Sequence, residues 1–256
     1  MPEGTPAETR QRLLIHIIIC DQMPKLFPDE KHGSCYADLF KTLFSGAAER
    51  LNVPVAFDEW DAVEGRLPPF CEDDSETRHL YVISGSKSDS FGSDPWIVAF
   101  RAYVKEAIGR GLRFMGVCFG HQVIAYSLGG HVQRGPEGFW GGGERTVTVC
   151  DPLVGGLAGQ DHLRLCVVHY DMVTRLPPGA TLVGTSPEVT NDSYRIGKQV
   201  LTFQGHPEIT PEFLEKYIDV FCTHMPADRI AQAKETLKVN TDSSLVADIA
   251  LRFFLQ

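Results

Sequence analysis

The first clear pattern along the chain is at residues 13–20 (LLIHIIIC), eight successive positions that are apolar except for His16. An unbroken run of branched residues this short suits a strand buried on both faces of a parallel sheet. The next stretch, 21–33, turns polar and carries Pro24, Pro28 and Gly33, the composition of a loop. Tyr36, Leu39, Phe40, Leu43 and Phe44 then recur at helical spacing and predict an amphipathic helix. Residues 53–60 read as a second strand. Residues 61–78, acidic and broken by Pro68 and Pro69, read as a surface connection, and 79–83 as a third strand.

Residues 84–94 (SGSKSDSFGSD) are small and polar, a loop at a strand's carboxyl end, and Pro95 suits the first turn of a helix reaching about Gly109. A strand over 112–118 turns at once into a helix over 120–128, closed by Gly129 and Gly130. The order so far is β, α, β, β, α, β, α. Further strands are predicted at 146–150, 163–168, 181–185 and 200–203, then helices at 211–225, 227–238 and 245–254. The pattern predicts an α/β fold: an open, mainly parallel sheet flanked by helices, with a small antiparallel insertion. No internal repeat, low-complexity tract or Gly/Ser linker interrupts it. A single domain over 1–256 is expected, with a core at about 13–225 and C-terminal helices over 226–256.

Composition narrows the function. The 256 residues hold 24 Lys plus Arg against 33 Asp plus Glu, a net charge of −9, which argues against nucleic-acid binding because that rests on concentrated positive charge. With 43% hydrophobic and 22% charged residues the chain can bury a real core. The seven cysteines (Cys20, Cys35, Cys71, Cys118, Cys150, Cys166, Cys222) form no CxxC pair and have no His near enough in sequence for a zinc spacing. No metal or other cofactor is expected, and scattered free thiols fit a reducing, cytoplasmic compartment. No apolar run approaches the ~20 residues of a membrane helix. The first twelve residues, with Pro and acidic positions, lack the pattern of a signal peptide and read as a frayed lead-in.

The sharpest local feature is Gly116-Val117-Cys118-Phe119-Gly120, between a buried strand and a helix. This is a nucleophile-elbow arrangement with sulfur in place of a serine oxygen, and a cysteine at a helix N-terminus is favoured as thiolate by the helix dipole. Buried structural roles are the expectation for Cys20, Cys150, Cys166 and Cys222. A thiol nucleophile needs a base, and the base an orienting group. Phe203-Gln204-Gly205-His206-Pro207-Glu208 supplies both: the strand over 200–203 delivers His206 to the sheet's carboxyl edge, and Glu208 can turn back toward the ring.

These segments, GVCFGHQ and QGHPE, resemble the class I glutamine amidotransferase family, whose Cys-His-Glu triad sits in GxCxGxQ and GHPE motifs in the same order. The resemblance runs from Leu13 to the helix after Glu208 and implies a flavodoxin-like sheet. It also implies Cys118 as nucleophile, His206 as general base and acid, Glu208 as the residue orienting it, and Gln122 as a substrate contact. An oxyanion hole would come from the backbone N–H groups of Phe119 and Gly85. Gly85 stands in a Ser-Gly-Ser turn where many relatives have Pro-Gly-Gly. The SGSKSDS loop looks like a branch containing plant gamma-glutamyl peptidases and relatives of GMP synthetase glutaminase domains, as does the segment around His169-Tyr170-Asp171. In that branch His169 and Tyr170 are implied to hold the glutamyl head group.

The implied activity is hydrolysis of a gamma-glutamyl amide through a thioester on Cys118, the substrate being glutamine, glutathione or a conjugate. Nothing after Glu208 is long enough for an ATP-dependent synthetase domain, so a free-standing peptidase is expected. The alternatives are a glutaminase subunit supplying ammonia to a separate synthetase, and a catalytically silent regulatory protein on the same fold. Trp140 and Phe139 are expected beside the leaving group. Gly141-Gly142-Gly143 reads as a flexible turn, 72–76 as a solvated acidic loop, and His79, His131, His162 and His224 as polar or structural residues. Asn191-Asp192-Ser193 matches a glycosylation pattern in a chain with no export signal.

Overall fold

The computed structural model describes residues 11–23 and 35–256; most of the loop expected over 21–33 and the expected lead-in to residue 10 lie outside them. Strand β1 (Arg12–Ile19) lies between β2 (Val55–Asp61) and β3 (Thr77–Ile83), parallel to both. Next to β3 comes β4 (Arg113–Val117), then β11 (Val200–Phe203), again parallel. Beyond β11 the direction alternates through β10 (Ser193–Ile196), β9 (Ala180–Thr185), β6 (Gly141–Val149) and β7 (His162–His169). Among the described residues the sheet therefore runs β2-β1-β3-β4-β11-β10-β9-β6-β7, with a separate ribbon of β5 (His131–Arg134) and β8 (Asp171–Arg175).

Helices cover both faces because the strands are apolar on both. On one side α1 (Tyr36–Leu51) and α7 (Ser243–Phe254) bury Phe40, Phe44, Val246, Ala250 and Phe253 against Ile15, Ile17, Val82, Met115 and Phe203. On the other, α2 (Pro95–Gly109) and α3 (Phe119–Ser127) bring Phe100, Val104, Val123 and Ile124 onto Ile18, Tyr81, Phe114 and Val200. Each Val, Ile, Met or Phe side chain among these contributes about 1.5–3 kcal/mol when fully buried. Helices α5 (Pro211–Phe221) and α6 (Ala227–Thr236) close a third cluster around Trp140, Cys166 and Ile209. A short α4 (Pro152–Ala158) starts at Asp151, whose carboxylate accepts the Val154 N–H at 3.0 Å and pairs with Arg195 at 2.9 Å. No helix among the described residues is long and apolar enough to cross a membrane.

Several sequence readings are altered or extended, and Cys150, expected to be buried, is exposed. Gly141-Gly142-Gly143 is not a flexible turn: the three glycines open β6 and pair in register with His169, Val168 and Val167. The glycosylation triplet is closed off, because Asn191 is buried and its Nδ2 donates to the Val173 carbonyl at 3.0 Å. The antiparallel strands are also more extensive than a small insertion, since they continue the main sheet itself. Parallel strands β1, β3, β4 and β11 all end on one edge, and in an open α/β sheet that carboxyl edge is where ligands bind.

Candidate active site

Cys118 follows β4 and caps α3 with φ 50° and ψ −103°, a backbone conformation that side chains rarely adopt. A strained residue of this kind costs on the order of 1–3 kcal/mol and persists only where its surroundings over-determine it. Here they do. The Cys118 N–H donates to the Phe203 carbonyl at 2.9 Å, and its carbonyl accepts the Gln122 N–H at 3.1 Å. The flanking glycines make the turn possible: a Cβ on Gly116 would lie 2.6 Å from the Gly120 carbonyl, and one on Gly120 would lie 2.5 Å from the Ile83 carbonyl. The spacing Gly-x-Cys-x-Gly is thus a steric requirement of packing the elbow against β3.

His206 reaches the same point from β11. Its backbone N–H donates to the Cys166 carbonyl on β7 at 2.8 Å, which fixes the chain just past the strand's end. Its ring Nδ1 meets Glu208 Oε1 at 2.8 Å, while Nε2 is buried without a hydrogen-bond partner. Burial pulls the ring's pKa down, yet Glu208 and Cys118 outweigh it and raise the value to about 10. The charged ring is therefore favoured, with Nδ1 committed to Glu208 and the Cys118 side chain beside it. Gly85 borders both partners: a Cβ there would stand 2.8 Å from His206 Cε1 and 3.6 Å from Cys118 Cβ.

These groups line a cavity of about 300 Å³ at the carboxyl edge of the sheet. Cys118, Gly85, Gln122, His169, Tyr170, His206 and Glu208 all contribute to its wall. The Phe119 side chain instead packs against Trp96, leaving its backbone N–H in the first turn of α3, directly after Cys118. The Gln122 side-chain amide donates to the Asp171 carbonyl at 3.0 Å and to Gln204 Oε1 at 3.1 Å. Both ring nitrogens of His169 are engaged within the protein, Nδ1 with the Asp171 carbonyl and Nε2 with Arg145 Nη1, each at 2.8 Å. Burial and the Arg145 charge hold that ring neutral, well below the usual histidine range. The Tyr170 hydroxyl meets His224 Nε2 at 2.7 Å.

Several wall residues escaped the sequence. Arg134 reaches Asp171 at 2.9 Å and Asp89 at 2.6 Å and lies over the Tyr170 ring, and Lys87 pairs with Asp21 at 3.2 Å. The rim thus carries both signs of charge. Burial, with Asp89 nearby, raises the Asp171 pKa to about 6 despite Arg134. Opposite this rim, Tyr36 of α1 and Phe213, Tyr217 and Phe221 of α5 form an aromatic wall. Trp140 and Phe139 do not line the cavity: Trp140 is buried in the α5–α6 cluster and Phe139 packs on His169. Asp89 lies in the SGSKSDS loop but was given no role there, and no motif marked Arg134, because the two meet only when the β5–β8 ribbon folds over the loop after β3.

Comparison with known proteins gives the family and the fold. The family profile described as glutamine amidotransferase class-I matches residues 51–224. Gamma-glutamyl peptidase 5 of Arabidopsis thaliana is 32% identical over 71% of this chain and 75% of its own. The glutamine-hydrolysing GMP synthase of Xanthomonas axonopodis pv. citri is 28% identical over 56% of this chain and 32% of its own. A crystal structure of a glutamine amidotransferase from Thermotoga maritima superposes with a TM-score of 0.67, covering 96% of this chain and 99% of the other at 21% identity, a likeness of fold. With the profile spanning most of the chain, the protein belongs to the class-I glutamine amidotransferase family.

Proposed function

We propose that the chain hydrolyses gamma-glutamyl amide bonds, with Cys118 as nucleophile and a gamma-glutamyl peptide or conjugate as substrate. The observation carrying this reading is the convergence of Cys118, His206 and Glu208 on one cavity, with His206 Nε2 unpartnered. Cys118 Sγ attacks the gamma-carbonyl carbon, and the oxygen's developing charge is received by the Gly85 and Phe119 N–H groups. His206, held protonated by Glu208, gives its Nε2 proton to the departing amine as the C–N bond breaks. The product is a glutamyl thioester on Cys118. Water then attacks this thioester, His206 Nε2 takes a proton from it, and glutamate leaves as the thiolate reforms.

The walls support a gamma-glutamyl substrate. A free glutamyl head carries an ammonium and a carboxylate, and the rim presents Asp21, Asp89 and Asp171 beside Lys87 and Arg134. The aromatic wall of Tyr36, Phe213, Tyr217 and Phe221 gives a leaving group larger than ammonia an apolar surface to rest on. His169 and Gln122 act here by shaping the wall, since their side-chain N–H groups or ring nitrogens already bond within the protein. The similarity to a GMP synthase favours a second reading, a glutaminase subunit that passes ammonia to a separate synthetase. Incubating the purified chain alone with gamma-glutamyl dipeptides, glutathione and glutamine, and assaying amine, ammonia and glutamate, separates the readings. The peptidase reading expects higher kcat/KM on the peptides. A preference for glutamine, or turnover only with an added synthetase, rejects it.

A further inference from the structure

A second cluster of reactive side chains lies away from this cavity, on the face of the sheet beneath α2. His16 on β1 pairs in register with Tyr81 on β3, and His79 precedes Tyr81 by two residues, so all three side chains share that face. The third member comes from the connection between β2 and β3. Cys71 is held there by its backbone N–H, which donates to the Tyr81 hydroxyl at 2.8 Å, while that hydroxyl donates to the Pro69 carbonyl at 2.8 Å. A second tyrosine, Tyr103 of α2, donates to the Pro68 carbonyl at 2.9 Å. Two hydroxyls therefore pin the loop beside this thiol, together with Asp73, which accepts the His79 N–H at 2.9 Å and pairs with Arg113, and Phe70, which stacks on Tyr103.

The result is a compact donor set. His16 Nε2 and His79 Nδ1 stand 3.0 Å apart, with the rings nearly parallel, and one ligand atom from each of His16, Cys71 and His79 lies within 4.8 Å of the others. We propose that His16, Cys71 and His79 form a structural binding site for a divalent transition metal of the zinc class. Two imidazoles and a thiolate are a donor set that zinc favours, at bond lengths of about 2.0–2.1 Å to nitrogen and about 2.3 Å to sulfur. Nitrogens 3.0 Å apart can both reach one such ion. Cys71 and His79 are only partly buried, so water can complete a tetrahedron.

One otherwise unexplained feature fits this assignment. His16 is 2% exposed and its Nδ1 is buried with no hydrogen-bond partner, yet Asp58 Oδ2 on β2 lies 3.7 Å from it. With Nε2 on the metal, Nδ1 must carry the ring's proton and faces that carboxylate, the outer-shell arrangement that orients most metal-bound histidines. Binding replaces the hydrogen bond between the two rings, each ring staying neutral, and releases one proton from the Cys71 thiol. The site is remote from catalysis. His79 stands six residues before Gly85, which at roughly 3.3 Å per strand residue is about 20 Å. A metal here would clamp the β2–β3 connection to the sheet, and it holds whether or not the proposed activity does.

The test is a titration of the full chain, stripped with a chelator and kept reduced, with Co(II) and then Zn(II). One equivalent of Co(II) should give tetrahedral visible bands and a thiolate charge-transfer band, both displaced by Zn(II). Cys71→Ser should abolish the charge-transfer band and weaken Zn(II) binding at least ~10-fold, and Asp58→Asn should weaken it by about 10- to 100-fold. His79→Ala, at a half-buried position, should also lose the site while retaining the native circular dichroism spectrum. Cys118→Ala should bind as the wild type does, which separates this cluster from the cavity. Absence of metal uptake by the reduced wild-type chain, unchanged binding in Cys71→Ser and His79→Ala, or loss of the band in Cys118→Ala instead would each overturn the proposal.

Discussion

Replacing Gly85 with alanine probes the site's geometry through a single methyl group. The added Cβ would lie 2.8 Å from His206 Cε1, whereas ordinary contacts begin at 3.4 Å, so the ring must retreat by about 0.6 Å. It has little room to do so, because Nδ1 is bonded to Glu208 at 2.8 Å and the backbone N–H to Cys166 at 2.8 Å. A misplacement of 1 Å in a reacting group can cost on the order of 10²-fold, so a shift of about half that should lower kcat/KM by roughly 10- to 100-fold. That is about 1.4–2.7 kcal/mol of transition-state stabilisation. Steady-state hydrolysis of a gamma-glutamyl dipeptide reads the rate, and thermal unfolding checks the fold. Gly156→Ala, where a Cβ meets nothing within 4 Å, is the control: it should leave kcat/KM unchanged and, lying inside α4, raise Tm slightly. Wild-type kcat/KM in Gly85→Ala with an unchanged Tm would refute the placement of Gly85 against the His206 ring.

His206→Asn should lower kcat by about 10²- to 10⁴-fold, as loss of a general acid–base group does, and Glu208→Gln should cost less; rates of both variants check the ranking. The His206 pKa is raised from 6.5 to about 10, so its charge coupling stabilises the fold fully below pH about 6.5 and is lost as pH rises through about 10. Urea midpoints should fall across that window in the wild type and fall less in Glu208→Gln. The alkaline limb of kcat/KM should likewise move to lower pH in that variant. Arg145 is buried, donates to His169 and pairs with Asp192 at 3.4 Å, and Asp192 is itself 1% exposed. Arg145→Met leaves that carboxylate buried without its cation, so equilibrium denaturation should show a loss of about 3–5 kcal/mol.

The parts of the fold set by local pattern were legible. The apolar run in β1, the proline at the start of α2 and the Gly-x-Cys-x-Gly elbow each constrain their own few residues, and the structure places those elements within one or two positions of expectation. The parts set by distant partners were not. Strands β5, β8 and β10 have four or five mixed residues each and become strands because a neighbour supplies the ladder and the burial. Gly141 to Gly143 carry the signature of a turn but are paired into β6 by β7, Gly143 with a φ of 106°. The same holds for chemistry. Cys118, His206 and Glu208 were visible through their local motifs, whereas Arg134, Asp89 and Asp171 converge through tertiary pairing. His16, Cys71 and His79, at no zinc-like spacing, meet because β1 and β3 are neighbours and two tyrosines anchor the loop between β2 and β3.

The claim that Cys118 is the nucleophile of this cavity is tested most directly by covalent labelling with a glutamine-like diazoketone, followed by peptide mass spectrometry. Seven free cysteines compete for the reagent, among them the exposed Cys150 and the half-buried Cys35 and Cys71, so selectivity is informative. The account predicts one label per chain, on Cys118, slowed by a gamma-glutamyl dipeptide, abolished in Cys118→Ala and accompanied by loss of all hydrolysis. A label on another cysteine that tracks loss of activity, or wild-type turnover by a folded Cys118→Ala chain, would contradict it.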